Sequence, residues 1–300
     1  MTKISRARTL TMSVLFLLVA SLLTGCGQTG NGDLYQLTGS DSEVNVVQSL
    51  VEGFSDVNGE VEFAVTGGGS GVGIAAIIDG TADVANSSRP MSEEEINQAK
   101  DNQVDPVPIV FAFDGVAVVI NEENPVEELT LEELGKIYSG EVSNWSEVGG
   151  ADMDITLFGR QPTSGTFVFF RELVVKGDYS DLMNQMPGTS AIIEGVLQDR
   201  GGVGYAAIGY VKGAAGIKAL SIAADDGAEY ISPLDDEKVF SGEYVMTRPL
   251  YHYVNGRPEG ALREFFEFEL SDVGQEIVIA EGFLPVTPEF MEQNKEYLGQ

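Results

Sequence analysis

Residues 61–90 read VEFAVTGGGSGVGIAAIIDGTADVANSSRP. Val61 to Val65 suit a strand, Gly67 to Gly71 a turn, Val72 to Ile78 a short helix, and Asp83 to Ala85 a further strand. Strand, small-residue turn, helix and returning strand is the repeating unit of parallel α/β sheets. The same order stands just upstream. Leu34 to Leu37 is a short strand and Thr38 to Asp41 a turn. Val44, Val47, Val51 and Phe54 then recur at helical spacing, with Ser40 to Ser42 as expected N-caps. Downstream, Val107 to Val119 predicts two strands broken at Asp114-Gly115. Leu129 to Tyr138 predicts a helix capped by Thr130, with Glu132 and Glu133 in its first turn. Ile155 to Phe158 and Gly204 to Ala206 read as strands, and Tyr244 to Val254 as a strand pair. Ser190 to Gln198, Gly260 to Glu269 and Val273 to Ile279 read as helices. The fold class is α/β, with mostly parallel sheets and no internal repeat.

At 300 residues and 43% hydrophobic content, the chain can bury one or two sizeable cores. Net charge is −30. Lys3, Arg6 and Arg8 are the only charged side chains among the first 25, so the remainder carries −33. Nucleic-acid binding needs basic patches that release counterions, and this balance excludes it. The acidity fits a saline medium, where carboxylates keep a surface solvated, and fits lineage composition equally. Cys26 and His252 are the only residues of their types. No internal disulfide and no CxxC metal site can form. A His-based zinc site or a Ser-His-Asp triad would rest on His252 alone, and its flanks (LYHYV) suit a structural histidine in a strand. No metal and no cofactor are expected.

The amino terminus has its own logic. A basic start is followed by an apolar run from Met12 to Leu23 and then by Leu23-Thr24-Gly25-Cys26. That pattern is an export signal over 1–25, too short to span a bilayer comfortably. The LTGC string resembles a bacterial lipobox, which implies lipidation of Cys26. Residues 26–33, Gly-rich and polar, read as a tether between lipid and folded body.

Three segments share one design, a strand end, a small-residue turn and a helix start. They are TGSDS (Thr38 to Ser42), TGGGSGVG (Thr66 to Gly73) and GRQPTSGT (Gly159 to Thr166). A helix start carries unpaired N–H groups and a partial positive charge. Glycine lets an anion approach the backbone, and Ser or Thr adds a donor. Each turn also has a plainer reading, since Ser40 could simply cap a helix. The second turn lacks the GK[ST] ending of a P-loop and the spacing of GxGxxG or GxSxG. The third contains Arg160, whose planar fork matches two oxygens of a tetrahedral oxyanion; its alternative is a surface ion pair.

Four segments together resemble a known family. They are GSGVGIAAIIDGTADVANSSRP (Gly69 to Pro90), DGVAVVINEENPVEELTLEELGKIYSGEVSNWSEVGG (Asp114 to Gly150), GRQPTSGTFVFF (Gly159 to Phe170) and GGVGYAAIGYV (Gly201 to Val211). The chain resembles the phosphate-binding lipoproteins of high-affinity phosphate ABC importers. The resemblance implies a type II periplasmic-binding-protein fold, two α/β lobes with a ligand cleft and two crossover connections. The lobes are expected at 34–112 with 245–300, and at 113–244. Implied phosphate contacts are Ser40, Ser70, Arg160, Ser164, Gly165 and Thr166, with Ser88 as a further candidate. Some relatives carry an Asp after the second motif that accepts the phosphate proton, but here the string is Ser87-Ser88-Arg89-Pro90. Arg89 accepts no hydrogen bond, so it would contact phosphate or brace the cleft. Asp114 and Asp41 are the candidate acceptors, and Asp114 also reads as a turn residue. The implied partners are inorganic phosphate, ABC permease subunits and the membrane through lipid on Cys26, with a monomeric chain facing outside the cytoplasm. The alternatives are a binder of sulfate, molybdate or tungstate, a phosphate-responsive sensor, and a hydrolase using Ser70 or Ser164. The hydrolase lacks a local His base.

Overall fold

The computed structural model describes residues 34–300. The expected signal segment, the tether and Cys26 lie outside the described residues. Eleven strands are found among those described: β1 (Leu34–Gly39), β2 (Glu62–Thr66), β3 (Val84–Ser87), β4 (Pro106–Asn121), β5 (Glu128–Thr130), β6 (Thr156–Arg160), β7 (Asn184–Met186), β8 (Gly202–Ala207), β9 (Ile217–Ala219), β10 (Ser221–Ala223) and β11 (Thr247–Asn255). The helices are α1 (Val44–Ser55), α2 (Ser70–Ile78), α3 (Glu93–Asp101), α4 (Leu131–Ser139), α5 (Gly165–Phe170), α6 (Thr189–Gln198), α7 (Asp236–Phe240), α8 (Gly260–Glu269), α9 (Asp272–Ala280) and α10 (Pro288–Leu298). A sheet in the order β2-β1-β3-β11-β4-β8-β6-β7 runs through the molecule, with β9 also on β4. A small pair, β5 and β10, stands apart.

The outer strands are parallel: β1 with β2 and β3, and β6 with β7 and β8. The central strands β4 and β11 are antiparallel to each other and to their neighbours. The mostly parallel expectation therefore holds only at the flanks. A chain that passes from one core to the other and back must run in opposite directions at the centre.

Two further expectations are corrected there. Asp114-Gly115 breaks nothing, since β4 is one strand of 16 residues. Asp114 is held by a side chain of the next strand, and Gly115 serves close packing instead of a turn. A Cβ there would lie 3.1 Å from Ile208 and 3.2 Å from Val239. The expected strand pair over 244–254 is a single strand with an irregularity at Leu250/Tyr251, and Tyr244 precedes it.

The apolar side chains form separate cores. One gathers Val116 to Ile120 of β4 with Leu134, Trp145, Phe170, Ile192 and Tyr205. Another gathers Ile109, Phe111 and Ala112 of the same strand with Leu37, Leu50, Phe54, Leu250 and Phe265. A third, around Ile74, Ile77 and Met91, covers the opposite face of β3 and β11. Helix α1 shows how periodicity becomes packing. Val46, Val47, Leu50 and Phe54 are its buried stripe. That stripe is turned slightly from the expected one, leaving Val44 and Val51 half-buried. Thr130 caps α4 as expected, in a reciprocal box with Glu133.

Candidate functional site

The three small-residue turns meet where the two larger cores approach. Gly39 (φ +147°) lets β1 pass so close to β3 that an added Cβ would lie 2.1 Å from the Asn86 carbonyl oxygen. Ser40 N–H donates to that carbonyl at 2.9 Å, which fastens the first turn to β3. The Ser40 hydroxyl then stands 3.1 Å from Ser88 Oγ, and Ser70 Oγ stands 3.3 Å from the same atom. Ser88 N–H donates to Ser70 Oγ at 3.1 Å. From the other side comes Gly165, where a Cβ would lie 2.4 Å from Ser70 Oγ and 2.6 Å from Ser88 Oγ. Only glycine can bring α5 against these hydroxyls. Next to it, Thr166 Oγ1 lies 3.0 Å from Ser42 Oγ. All five hydroxyl residues are buried. The expected N-caps of α1 are thus not caps. Glu43 occupies that position without a side-chain cap bond, while Ser40 and Ser42 turn to the cluster.

Two buried arginines serve this region. Arg248, on β11, donates through Nε (3.1 Å) and Nη2 (2.8 Å) to Asp114 Oδ2. It also donates to the Ser88 carbonyl (3.2 Å), Thr166 Oγ1 (3.0 Å) and Ser42 Oγ (3.4 Å). Arg160, at the end of β6, pairs with Asp41 through Nη2 and donates to Thr189 Oγ1 at 3.2 Å and the Pro187 carbonyl at 3.3 Å. Its Nε has no hydrogen-bond partner among the described residues, although it is buried. That leaves guanidinium donor capacity unspent.

The remaining expected residues divide clearly. Asp41 joins two turns: Gly68 N–H donates to its Oδ1 at 3.1 Å, and Arg160 holds Oδ2. Ser164 caps α5 by accepting from Phe167 N–H at 3.4 Å. Arg89 does not join the hydroxyl cluster. Both its Nη groups bond the Glu95 carboxylate at 2.7 Å, at the capping box of α3. Asp114 is fully buried, and its Oδ1 accepts from Ile208 N–H at 3.2 Å. Burial raises its carboxyl above the ordinary aspartate range, with Arg248 acting in the opposite direction.

Sequence reasoning missed Arg248, Ser42 and Glu43. Ser42 and Glu43 stood in or beside a turn already singled out. Arg248 sits in an ordinary strand, TRPLYHYVN, and its role depends on the register that sets it opposite Asp114.

The arrangement offers hydroxyls, backbone amides and guanidinium groups to an oxyanion. Its serines have no histidine beside them. His252, the only histidine, is buried and stacked on Phe111, with Nδ1 2.9 Å from Asn86 Oδ1 and Nε2 3.1 Å from Glu269 Oε1. It faces none of the clustered serines. Among the described residues no group of His, Cys, Asp and Glu could hold a metal ion.

A family model described as a PBP superfamily domain matches residues 27–273. The chain belongs to that family. Its curated relatives include the phosphate-binding protein PstS of Pseudomonas aeruginosa, 28% identical over 279 residues, covering 87% of this chain and 85% of the relative. PstS of Staphylococcus saprophyticus is 31% identical over 271 residues, covering 85% and 84%. Among solved family structures, a Clostridium perfringens protein with bound phosphate matches at a TM-score of 0.77 and 28% identity, covering 85% of this chain and all of that one. An ABC-type phosphate transport receptor from Vibrio cholerae matches at 0.67 and 27%, covering 84% and 100%. The fold is the type II periplasmic-binding fold that the motifs implied.

Proposed function

We propose that this chain binds inorganic phosphate outside the cytoplasm and delivers it to an ABC-type permease. The observation that carries the reading is the cluster itself. Ser40, Ser70, Ser88 and Thr166 converge with two buried arginines in a chain that otherwise carries a large negative charge. Surface carboxylates beyond roughly 10 Å are screened by salt, so they bear little on the site. The relatives named as phosphate-binding proteins, and the solved neighbour with bound phosphate, support the same ligand.

In this reading, residues 34–112 with 245–300 form one lobe and 113–244 the other, hinged where β4 and β11 cross. Ser40, Ser70 and Ser88 belong to the first lobe; Arg160, Gly165 and Thr166 belong to the second. An oxyanion that touches both sides favours closure by the difference in its contacts between states. The closed pair then presents a surface that the permease reads.

Titration of the purified protein with phosphate and with sulfate tests this directly. Phosphate should bind at micromolar concentration or below, and sulfate far more weakly. Equal binding of sulfate would favour the general oxyanion alternative. Asp114→Asn refines the test. Phosphate near neutral pH carries a proton that an ionised carboxylate accepts, whereas the same carboxylate repels sulfate. Asp114→Asn should weaken phosphate roughly ten-fold or more and narrow the gap to sulfate. Unchanged affinities for both ions would take Asp114 out of the site.

The lipid anchor rests on the LTGC string and on the short apolar run before it. No helix among the described residues is long and apolar enough to cross a membrane. Mass spectrometry of the membrane-bound protein should show cleavage before Cys26 and an acylated amino terminus. Recovery of intact Met1 would defeat that expectation.

A further inference from the structure

One buried acid next to the first turn has both carboxyl oxygens outside the hydrogen-bond network of the described residues. Glu43 directly follows the first turn, at the start of α1, and its side chain is fully buried. Its backbone N–H bonds the Ser40 carbonyl at 3.3 Å, but neither carboxyl oxygen has a hydrogen-bond partner among the described residues. The Ser40 hydroxyl lies beside it, and the charged groups that bear on it are Arg248 from β11, Asp114 from β4 and Glu269 from α8. Glu269 in turn is bonded to His252.

A buried polar group in a native protein is nearly always bonded. An ionised carboxylate in such a place is far more costly than a neutral acid. Burial pushes the Glu43 carboxyl well above the ordinary glutamate range. The Ser40 hydroxyl and the Arg248 guanidinium oppose the shift, and the charges of Asp114 and Glu269 add to it. Burial therefore favours the protonated acid, and the one polar side chain beside it from its own turn is the Ser40 hydroxyl.

We propose that Glu43 is a specificity-determining residue of the anion site, an uncharged carboxylic acid that donates its O–H to an oxygen of the bound phosphate. This deepens the phosphate reading above and rests on it. A neutral donor adds a hydrogen bond without placing a negative charge beside the anion. Once ionised, the same group offers only lone pairs and a charge, and it repels what it held. Glu43 thus ties phosphate retention to pH.

The sign of the stability effect is set by the direction of the shift. A carboxyl raised in the folded state contributes stability that is full below the ordinary glutamate range and is lost as pH rises through the folded value. Glu43→Gln should therefore gain stability relative to the unaltered protein as pH rises above about 5.

Titration calorimetry with inorganic phosphate from about pH 6 to 9 is the test, on the unaltered protein, Glu43→Gln and Glu43→Leu. Glutamine keeps a donor and cannot ionise. It should bind within roughly three-fold of the unaltered protein near neutrality and lose its alkaline decline in affinity. Leucine should bind roughly ten-fold or more weakly near neutrality, with the gap closing as pH rises and Glu43 of the unaltered protein ionises, while melting no lower than the unaltered protein. Undiminished binding by the leucine variant, or an unchanged pH profile in the glutamine variant, would overturn the proposal and leave the phosphate reading intact. Failure of the unaltered protein to bind phosphate would defeat both.

Discussion

Arg248→Met is expected to abolish phosphate binding and to cost about 3–5 kcal/mol of folding stability, the scale for removing one partner of a buried ion pair. Arg248 is 3% exposed and Asp114 is fully buried, so the carboxylate left behind has no water to replace the guanidinium. The Ser88 carbonyl and the Ser42 and Thr166 hydroxyls lose a donor at the same time. The loss should depend on pH in a definite direction. Without Arg248, burial raises the Asp114 carboxyl further above its ordinary value. Stability in the variant is then greatest below the ordinary aspartate range and falls as pH rises, so the deficit is larger at about pH 7 than at about pH 4. Asp114→Leu added to Arg248→Met should recover most of the stability but not the binding, because the stray charge is gone while the anion's partner is still missing. Thermal melts and calorimetry on the unaltered protein and these two variants separate the two effects. Wild-type affinity in Arg248→Met would show that this arginine only braces the strands.

Arg160→Ala is expected to cost about 3–5 kcal/mol of phosphate binding, again on the scale of a broken buried charge contact. Arg160 is 2% exposed, its Nε has no partner among the described residues, and Nη1 spends one bond on Thr189. Those donors are the ones an oxyanion can use. The substitution also frees the Asp41 carboxylate, which Arg160 neutralises across the turns. Arg160→Lys should bind poorly as well, because a point charge cannot reproduce the planar fork. A strut between Asp41 and Thr189 is the competing role. In that case Asp41→Asn and Arg160→Ala should weaken binding equally, and the double variant no further. A larger loss in Arg160→Ala than in Asp41→Asn is the outcome that marks a ligand contact. Near-normal affinity in the alanine variant would place the phosphate site elsewhere.

The sequence by itself determined the repeating strand, turn and helix units, because hydrophobic spacing and glycine turns are local properties of the chain. It also singled out the three small-residue turns that the fold brings together. Gly39, Gly165 and the serines around them have small side chains that permit close backbone approach, and that permission needs no knowledge of the partner. The Thr130 cap and the structural setting of His252 were legible for the same reason. Tertiary structure alone decided the rest. Whether Asp114 turned the chain or held a charge depended on β11 lying beside β4, more than 130 residues away in sequence. Whether Ser40 capped a helix depended on Ser88 reaching it from just beyond β3. Arg89 stays off the hydroxyl cluster because Glu95 of α3 offers it two oxygens. Arg248 carried no sequence signal and Glu43 only its place beside the first turn, since a strand arginine and a helix-start glutamate are ordinary until burial removes their water. Burial is a property of the packed whole, and it is burial that turns an ordinary charge into one whose partner must be found.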